Sequence, residues 1–166
     1  MLKPFFAMTL LAASPAGFLD VQLENADGDA VALHPLLGKP TIVFYEERDS
    51  TSLNQALKDE LFKRGKKENL LDAVQVVAVA DLQGYNWFPA RNFALKGVRD
   101  AQTKAGIPVY VDWSGTMRGA PWKLKEKTSN VVLLDAAGAL VLKLDGKVDQ
   151  SKQDELFGAL AGLLHR

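Results

Sequence analysis

The sequence predicts one α/β domain: a central mixed sheet with helices on both faces and an N-terminal β-hairpin. Two apolar runs, TIVFY at 41–45 and VQVVAVA at 74–80, have the composition of buried parallel strands, and a helical pattern separates them. After residue 107 the order changes to strand, strand and helix. This order indicates an antiparallel pair and a closing helix added to a parallel unit.

The N-terminal hairpin is indicated by alternating apolar residues on both sides of a turn. Val21 and Leu23 precede residues 25–29, and Val31 and Leu33 follow them. The turn is rich in Asn, Asp and Gly, which favour tight connections. We therefore expect strands at 18–24 and 30–33.

The central part of the chain predicts a parallel β-α-β unit. Ser52 and Gln55 have the spacing of a capping box, so we expect the helix to begin at Ser52 and to end at Gly65. Such a connection between parallel strands is right-handed.

A second helix is predicted after Pro89, with Phe93 and Val98 on its core side and an end at Gly106. The loop before it contains Tyr85, Trp87 and Phe88, whose rings we expect to bridge the loop to the core. The alternative is that these rings form a recognition patch. The remaining predicted elements are strands at 109–112, 131–134 and 140–144, an amphipathic piece at 122–127, and a last helix that begins near Ser151 with Asp154 as a weaker cap.

Composition limits the classes of function. The chain has 166 residues, which suits a single domain, here placed at 17–166. Lys plus Arg and Asp plus Glu both number 20, so no overall field attracts nucleic acid. The sequence contains no cysteine, and its two histidines, His34 and His165, lie far apart. We therefore predict no metal site and no cofactor, and we exclude thiol chemistry for this chain.

The first 16 residues have the composition of an export signal. Lys3 precedes an apolar run at 5–13, and small residues stand at Ser14 and Ala16. We expect residues 1–16 to be a signal peptide, and the protein to be periplasmic with no stable membrane insertion after processing. The alternative is a cytoplasmic chain whose apolar N-terminal segment covers the sheet.

Several stretches together resemble the redoxin (AhpC/TSA-type) branch of the thioredoxin-like superfamily. They are the hairpin followed by LLGKP at 36–40, the strand at 44–45 that continues into 46–54, and the late strand pair around 132–138. A closer resemblance is to the YtfJ family of exported bacterial proteins. It is carried by residues 111–112, 115, 118–120, 122 and 124, by residues 129, 131–132, 134–135, 138 and 145–146, and by Arg48 and Ser50 after the first central strand. The resemblance implies a thioredoxin-like three-layer fold.

The resemblance also indicates which residues of this chain occupy the position of the redoxin cysteine. In redoxins a cysteine follows the first central strand, at a helix start that stabilises its thiolate. Here residues 46–53 read EERDSTSL, so thiol-dependent oxidoreductase or peroxidase activity is excluded. Thioredoxins place a cis proline before the late strand. This chain has Thr128-Ser129-Asn130 there, and we expect a trans bond.

A polar cluster is predicted at this end of the sheet. Crevices in open sheets form outside the carboxyl ends of parallel strands. The candidate binding residues are Glu46, Glu47, Arg48, Asp49, Ser50, Ser129 and Asn130. The alternative is that they are ordinary loop residues and helix caps. We name no catalytic residue, since Glu46 and Glu47 are adjacent on a strand and point to opposite faces.

Arg118 and Trp122 are a candidate secondary patch through a cation-π or partner contact, but the interpretation that we favour for both residues is a structural role. The leading functional hypothesis is a redox-inactive thioredoxin-like protein that binds an unidentified protein or small ligand. The alternatives are an enzyme of a non-thiol class, with Arg48, Asp49 and Ser50 positioning an anionic substrate, and a purely structural accessory.

Overall fold

A computed structural model describes residues 21–33 and 38–165. In chain order the strands are β1 Gln22–Glu24, β2 Ala30–Ala32, β3 Thr41–Glu46, β4 Gln75–Asp81, β5 Val109–Asp112, β6 Ser129–Leu134 and β7 Leu140–Asp145. The α-helices are α1 Gln55–Glu68, α2 Leu70–Ala73, α3 Ala90–Ala105 and α4 Gln150–Leu164, and short 3-10 helices lie at Arg48–Ser50 and Thr116–Arg118. The predicted signal peptide at 1–16, residues 36–37 of the LLGKP motif and His34 lie outside the described residues.

The strands form one mixed sheet in the order β2-β1-β5-β4-β3-β6-β7. Strands β3, β4 and β5 are parallel, whereas β1, β6 and β7 each run antiparallel to a neighbour. Every residue of β3 is buried, as its unbroken apolar run predicts. The predicted mixed α/β sheet is therefore confirmed.

One face of the sheet is covered by α1, α3 and α4. Phe44, Ala78 and Val109 are register partners on neighbouring strands and share this face. Phe44 packs in one cluster with Leu57 of α1 and with α4, and Val109 packs in another with α3. No described helix crosses a membrane, since none is long and apolar enough.

The opposite face is covered by the crossover from β5 to β6, residues 113–128. Met117, Trp122 and Leu124 of this segment are buried against side chains such as Val43 and Val132. Its helical part is the 3-10 helix Thr116–Arg118, and the predicted amphipathic piece at 122–127 has no helical structure. Inward residues at a spacing of two are typical of extended chain, not of a helix. Among the described residues the α-helices therefore lie on one face, and the prediction of helices on both faces holds on the opposite face only for the short 3-10 helix.

The predicted hairpin is confirmed within the described residues, with Leu23 opposite Val31. The predicted bounds of α1 are wrong at both ends. The helix begins at Gln55, after Asn54, because Ser50 to Asn54 form a 3-10 helix and turns. It passes through Gly65 and ends at Glu68, with Asn69 as its C-cap residue.

Gly65 has a packing role within α1. A Cβ atom placed there would lie 2.5 Å from Cγ of Leu71, so glycine lets α2 fold back onto α1. Asn69, in the left-handed region at φ 51°, is the residue that turns the chain.

Two predictions about α3 and α4 need correction. Phe93 does not face the core but is exposed, because α3 packs on the alanine-lined part of β4 through Val98 and Ala94. The cap of α4 is Asp149, which accepts a hydrogen bond from the Lys152 amide at 3.0 Å, rather than Ser151. The predicted end of α3 at Gly106 is confirmed.

Candidate functional site

The two predicted loops meet because β3 pairs with β6 in an antiparallel register. Glu46 lies opposite Ser129, and Tyr45 lies opposite Asn130. The Ser50 hydroxyl donates to the carbonyl oxygens of Glu47, at 3.0 Å, and Thr128, at 3.1 Å. The end of β3 and the start of β6 are therefore tied together at the edge of the sheet.

The Glu46 carboxylate is enclosed on the helix side of the sheet. It accepts a hydrogen bond from the Ser129 hydroxyl at 2.7 Å and an ion pair from Lys58 Nζ, also at 2.7 Å. Lys58 Nζ additionally donates to the carbonyl of Thr51 at 2.7 Å. These bonds join the strand end, the turn and α1.

Asn54 connects three parts of the chain, and the sequence analysis did not identify it. Its amide group donates to the Ser129 hydroxyl and to the carbonyl of Gly146, both at 2.9 Å, and its Oδ1 accepts from the Val148 amide at 2.8 Å. The side chain is buried. In the sequence it is visible only as a polar residue next to a predicted cap.

On the crossover side of the sheet, Arg118 connects the ends of β3 and β4. Its guanidinium donates to Asp81 at 2.6 Å, Glu126 at 3.0 Å and Glu47 at 3.1 Å. Glu47 also accepts from the Lys127 amide at 2.6 Å. Partial burial of Arg118 opposes its charged form, but the hydrogen bond and charge of Asp81 outweigh this and raise the pKa of Arg118.

Asp112 holds the start of the crossover in place. Its carboxylate accepts from the amides of Thr116 and Met117, both at 2.9 Å, and from the hydroxyl of Tyr45 at 3.3 Å. Burial, followed by the charge of Asp112, raises the pKa of Tyr45 well above its ordinary range. Neither partner was identified from the sequence.

The structure divides the predicted site residues by exposure. Glu46, Ser50, Ser129 and Asn130 are buried, Glu47 is half-buried, and Arg48 and Asp49 are exposed. Asn130 bonds to the backbone of Lys125 through both ends of its amide group. Glu46 and Glu47 do turn to opposite sides, as predicted. Binding by this group of residues stays a prediction.

The positions of Arg118 and Trp122 agree with the structural role that the sequence favoured over a binding patch. Trp122 is buried in the core, and Arg118 is bound to three carboxylates. The trans bond before Ser129 is confirmed, since the cis bonds of the described residues precede Pro89 and Pro121. Within the described ranges, no three acidic or histidine side chains are grouped to hold a metal ion.

The aromatic loop also differs from its prediction. Tyr85, Trp87 and Phe88 do not bridge to the core but face solvent. The indole nitrogen of Trp87 donates to the carbonyl of Gly84 at 2.9 Å, within the loop itself. The core below is instead filled by Leu82 and Trp113.

No family model matches the chain, and no curated protein matches it. Solved structures of other proteins are similar to this chain. A thioredoxin-like protein from Porphyromonas gingivalis is 18% identical over 88% of this chain and 90% of its own, with a TM-score of 0.64.

The exposed lipoprotein thioredoxin Etrx1 of Streptococcus pneumoniae is 21% identical over 87% of this chain and 99% of its own, with a TM-score of 0.61. A secreted Mycobacterium tuberculosis disulfide oxidoreductase homologous to E. coli DsbE is 16% identical over 88% of this chain and 98% of its own, with a TM-score of 0.58. The chain has a thioredoxin-like fold. At these identities the similarity of the thioredoxin-like domain to these proteins extends to architecture alone.

Replacement of Asn54 by Ala should destabilise the thioredoxin-like domain by about 2–3 kcal/mol, because the Val148 amide and the Gly146 carbonyl lose a buried partner. Urea unfolding measures the change. Gln55→Ala is the matched control, since Gln55 is exposed and bonds only to Asp59. Equal stability of the two variants would contradict the role assigned to Asn54.

Stability should fall above about pH 10, the ordinary pKa of tyrosine, because folded Tyr45 keeps a proton that the unfolded chain loses. The contribution is complete below that pH and declines above it by about 1.4 kcal/mol per pH unit for each such group. Burial raises the pKa of Tyr110 too, with the same sign. In Tyr45→Phe, urea unfolding over alkaline pH should show a shallower decline. An unchanged slope would refute this assignment.

Proposed function

We propose that this thioredoxin-like chain is a redox-inactive binding protein that contacts a protein or small ligand through residues 47–51. The observation that carries the proposal is the conformation and residue content of the loop after β3. Where redoxins carry their cysteine, this chain places a buried Glu46 and a 3-10 helix that presents Arg48 and Asp49 to solvent.

The bonds around the loop support a binding role. Ser50 is held by Glu47 and Thr128, and Glu47 is held by Arg118 and Lys127. A loop fixed in this way loses little conformational entropy when a partner binds. The two exposed side chains, of opposite charge, supply the contacts. In this proposal the buried candidates position the loop and do not touch the partner.

The same bonds weigh against catalysis by the hydroxyl groups. Ser129 donates to Glu46 as a nucleophile would to a base, but its side chain is fully buried beneath α1, where no substrate has access. Ser50 donates to two backbone carbonyls. Neither hydroxyl is placed to attack a bound molecule.

We propose also that the protein is exported to the periplasm and is a relative of the YtfJ family. The apolar run at 5–13 and the small residues after it support export. Two proteins of similar fold are described as an exposed lipoprotein and as secreted, which supports export.

Purified protein should give no signal in insulin-reduction and peroxidase assays, because it has no thiol. Reproducible turnover in either assay would overturn the redox-inactive part of the proposal. A cysteine-containing thioredoxin serves as the positive control.

Affinity capture from native-host extract, followed by mass spectrometry, tests the binding part. Arg48→Ala should reduce capture of the specific partner at least about fivefold, the effect of losing ~1 kcal/mol at an interface. Lys63→Ala is the matched control. The Lys63 side chain is 77% exposed on α1, so this substitution removes one positive charge at a position outside the loop. Equal capture by both variants would refute a role for Arg48.

A thermal-shift screen with anionic metabolites separates the two kinds of ligand. Stabilisation by one metabolite that Arg48→Ala abolishes supports a small-ligand site at the same loop. Turnover of that metabolite would instead support an enzyme of a non-thiol class.

N-terminal sequencing of the protein recovered from its host tests export. The mature chain should begin near Gly17, after the small residues at 14–16. A chain that retains residues 1–16 would contradict signal cleavage.

A further inference from the structure

We propose that an aromatic tip, formed by Tyr85, Trp87, Phe88 and Phe93, adsorbs this protein reversibly onto an anionic phospholipid surface. The tip lies in the β4–α3 loop and the first turn of α3. It shares no residue with the loop at 47–51, so this inference goes beyond the proposed partner site and does not depend on it.

The tip exposes an unusual amount of aromatic surface. Phe88 is 83% exposed, Phe93 73%, Trp87 60% and Tyr85 45%. Single apolar residues on a surface need no explanation, but four exposed aromatic rings within nine residues concentrate apolar surface around the start of α3, and water solvates such surface poorly. Trp and Tyr in particular favour the interface between membrane and water, where the ring is buried and its polar atom stays hydrated.

The form of the loop favours a flat lipid surface over an enclosed peptide. All residues from 83 to 89 are exposed, so the segment stands out from the domain and forms no groove. Its conformation is fixed by bonds within itself, including those from the Tyr85 amide to Leu82 at 3.0 Å and from the Trp87 indole to Gly84 at 2.9 Å.

The base of the tip is fixed to the domain by Arg91. Its guanidinium donates to Asn86 at 2.5 Å, pairs with Glu24 and lies 4.3 Å from the centre of the Trp113 ring. A projecting tip on a firm base can enter the headgroup layer without refolding, which keeps the entropic cost of adsorption low.

The charges next to the tip select the lipid. Helix α3 carries four cations, Arg91, Lys96, Arg99 and Lys104, and one carboxylate, Asp100. Arg91 is neutralised by Glu24, and Arg99 lies 3.8 Å from Asp27. Lys96, one turn after Phe93, is exposed and lies between the tip and Asp100, whereas Lys104 is at the far end of α3, about 16 Å along the helix from Phe93. Lys96 is therefore the exposed cation of α3 that can contact an anionic headgroup beside the tip, although the whole chain has no net charge.

Tryptophan fluorescence reads out the contact directly. Of the three tryptophans, Trp113 is 7% exposed and Trp122 1%, so a change in solvation reports on Trp87. Vesicles of phosphatidylglycerol should shift the emission to the blue and should carry the full-length protein into the pellet on sedimentation. Vesicles of phosphatidylcholine should do so less. Trp87→Phe should lose the shift but should still sediment with the vesicles.

Variants at the tip test which residues bind. Phe88→Ser and Phe93→Ser should each lower the vesicle partition coefficient roughly tenfold or more, the loss expected from one buried aromatic ring. Leu140→Ser is the matched control, because Leu140 is 40% exposed on β7, outside the tip, and should leave partition unchanged. Lys96→Glu should weaken binding to phosphatidylglycerol only.

The proposal is overturned if phosphatidylglycerol vesicles neither shift the emission nor sediment the protein, or if both Phe variants partition like the unmodified chain. Burial of Trp87 by a host protein, without binding to vesicles, would also overturn it and would identify the tip as a protein interface. Arg48→Ala should partition normally, which keeps failure here distinct from failure at the loop.

Discussion

The pairing of β3 with β6 is the constraint on which the arrangement of this molecule depends. Six register pairs, from Thr41 with Leu134 to Glu46 with Ser129, join the parallel and antiparallel halves of the sheet. This register places the end of β3 beside the start of β6 and so brings together residues more than 80 positions apart. A shift by one residue would send Glu46 to the opposite face, away from Lys58 and Ser129.

The two faces of the sheet are stabilised by different interactions. Helices α1, α3 and α4 cover one face with apolar side chains. The other face is covered by an irregular crossover, whose backbone groups need partners that a helix would supply internally. Asp112 accepts hydrogen bonds from backbone amides of the crossover, and Asn130 bonds to the backbone of Lys125. Arg118 joins the crossover to Asp81 at the end of β4 and to Glu47 after β3. The buried polar residues at the sheet edge thus act in place of a helix.

A feature of this structure can be predicted from the sequence when the residues that determine it are close together in the chain. The apolar runs of β3 and β4 and the glycine that ends α3 are determined by neighbouring residues, and these predictions agree with the structure. Asn54 was missed because its partners, Ser129, Gly146 and Val148, lie 75 to 94 positions away. Phe93 was misplaced because the width of the surface under α3, and not helical spacing, decides which side packs.

The acidic loop after β3 has a consequence for any attempt to restore redox chemistry. A cysteine introduced at position 48 would stand between the carboxylates of Glu47 and Asp49, in an exposed turn. Negative neighbours disfavour a thiolate, whereas reactive cysteines lie next to cations or at the start of a longer helix. One substitution would therefore place a sulfur atom in the loop after β3 in surroundings that disfavour its thiolate.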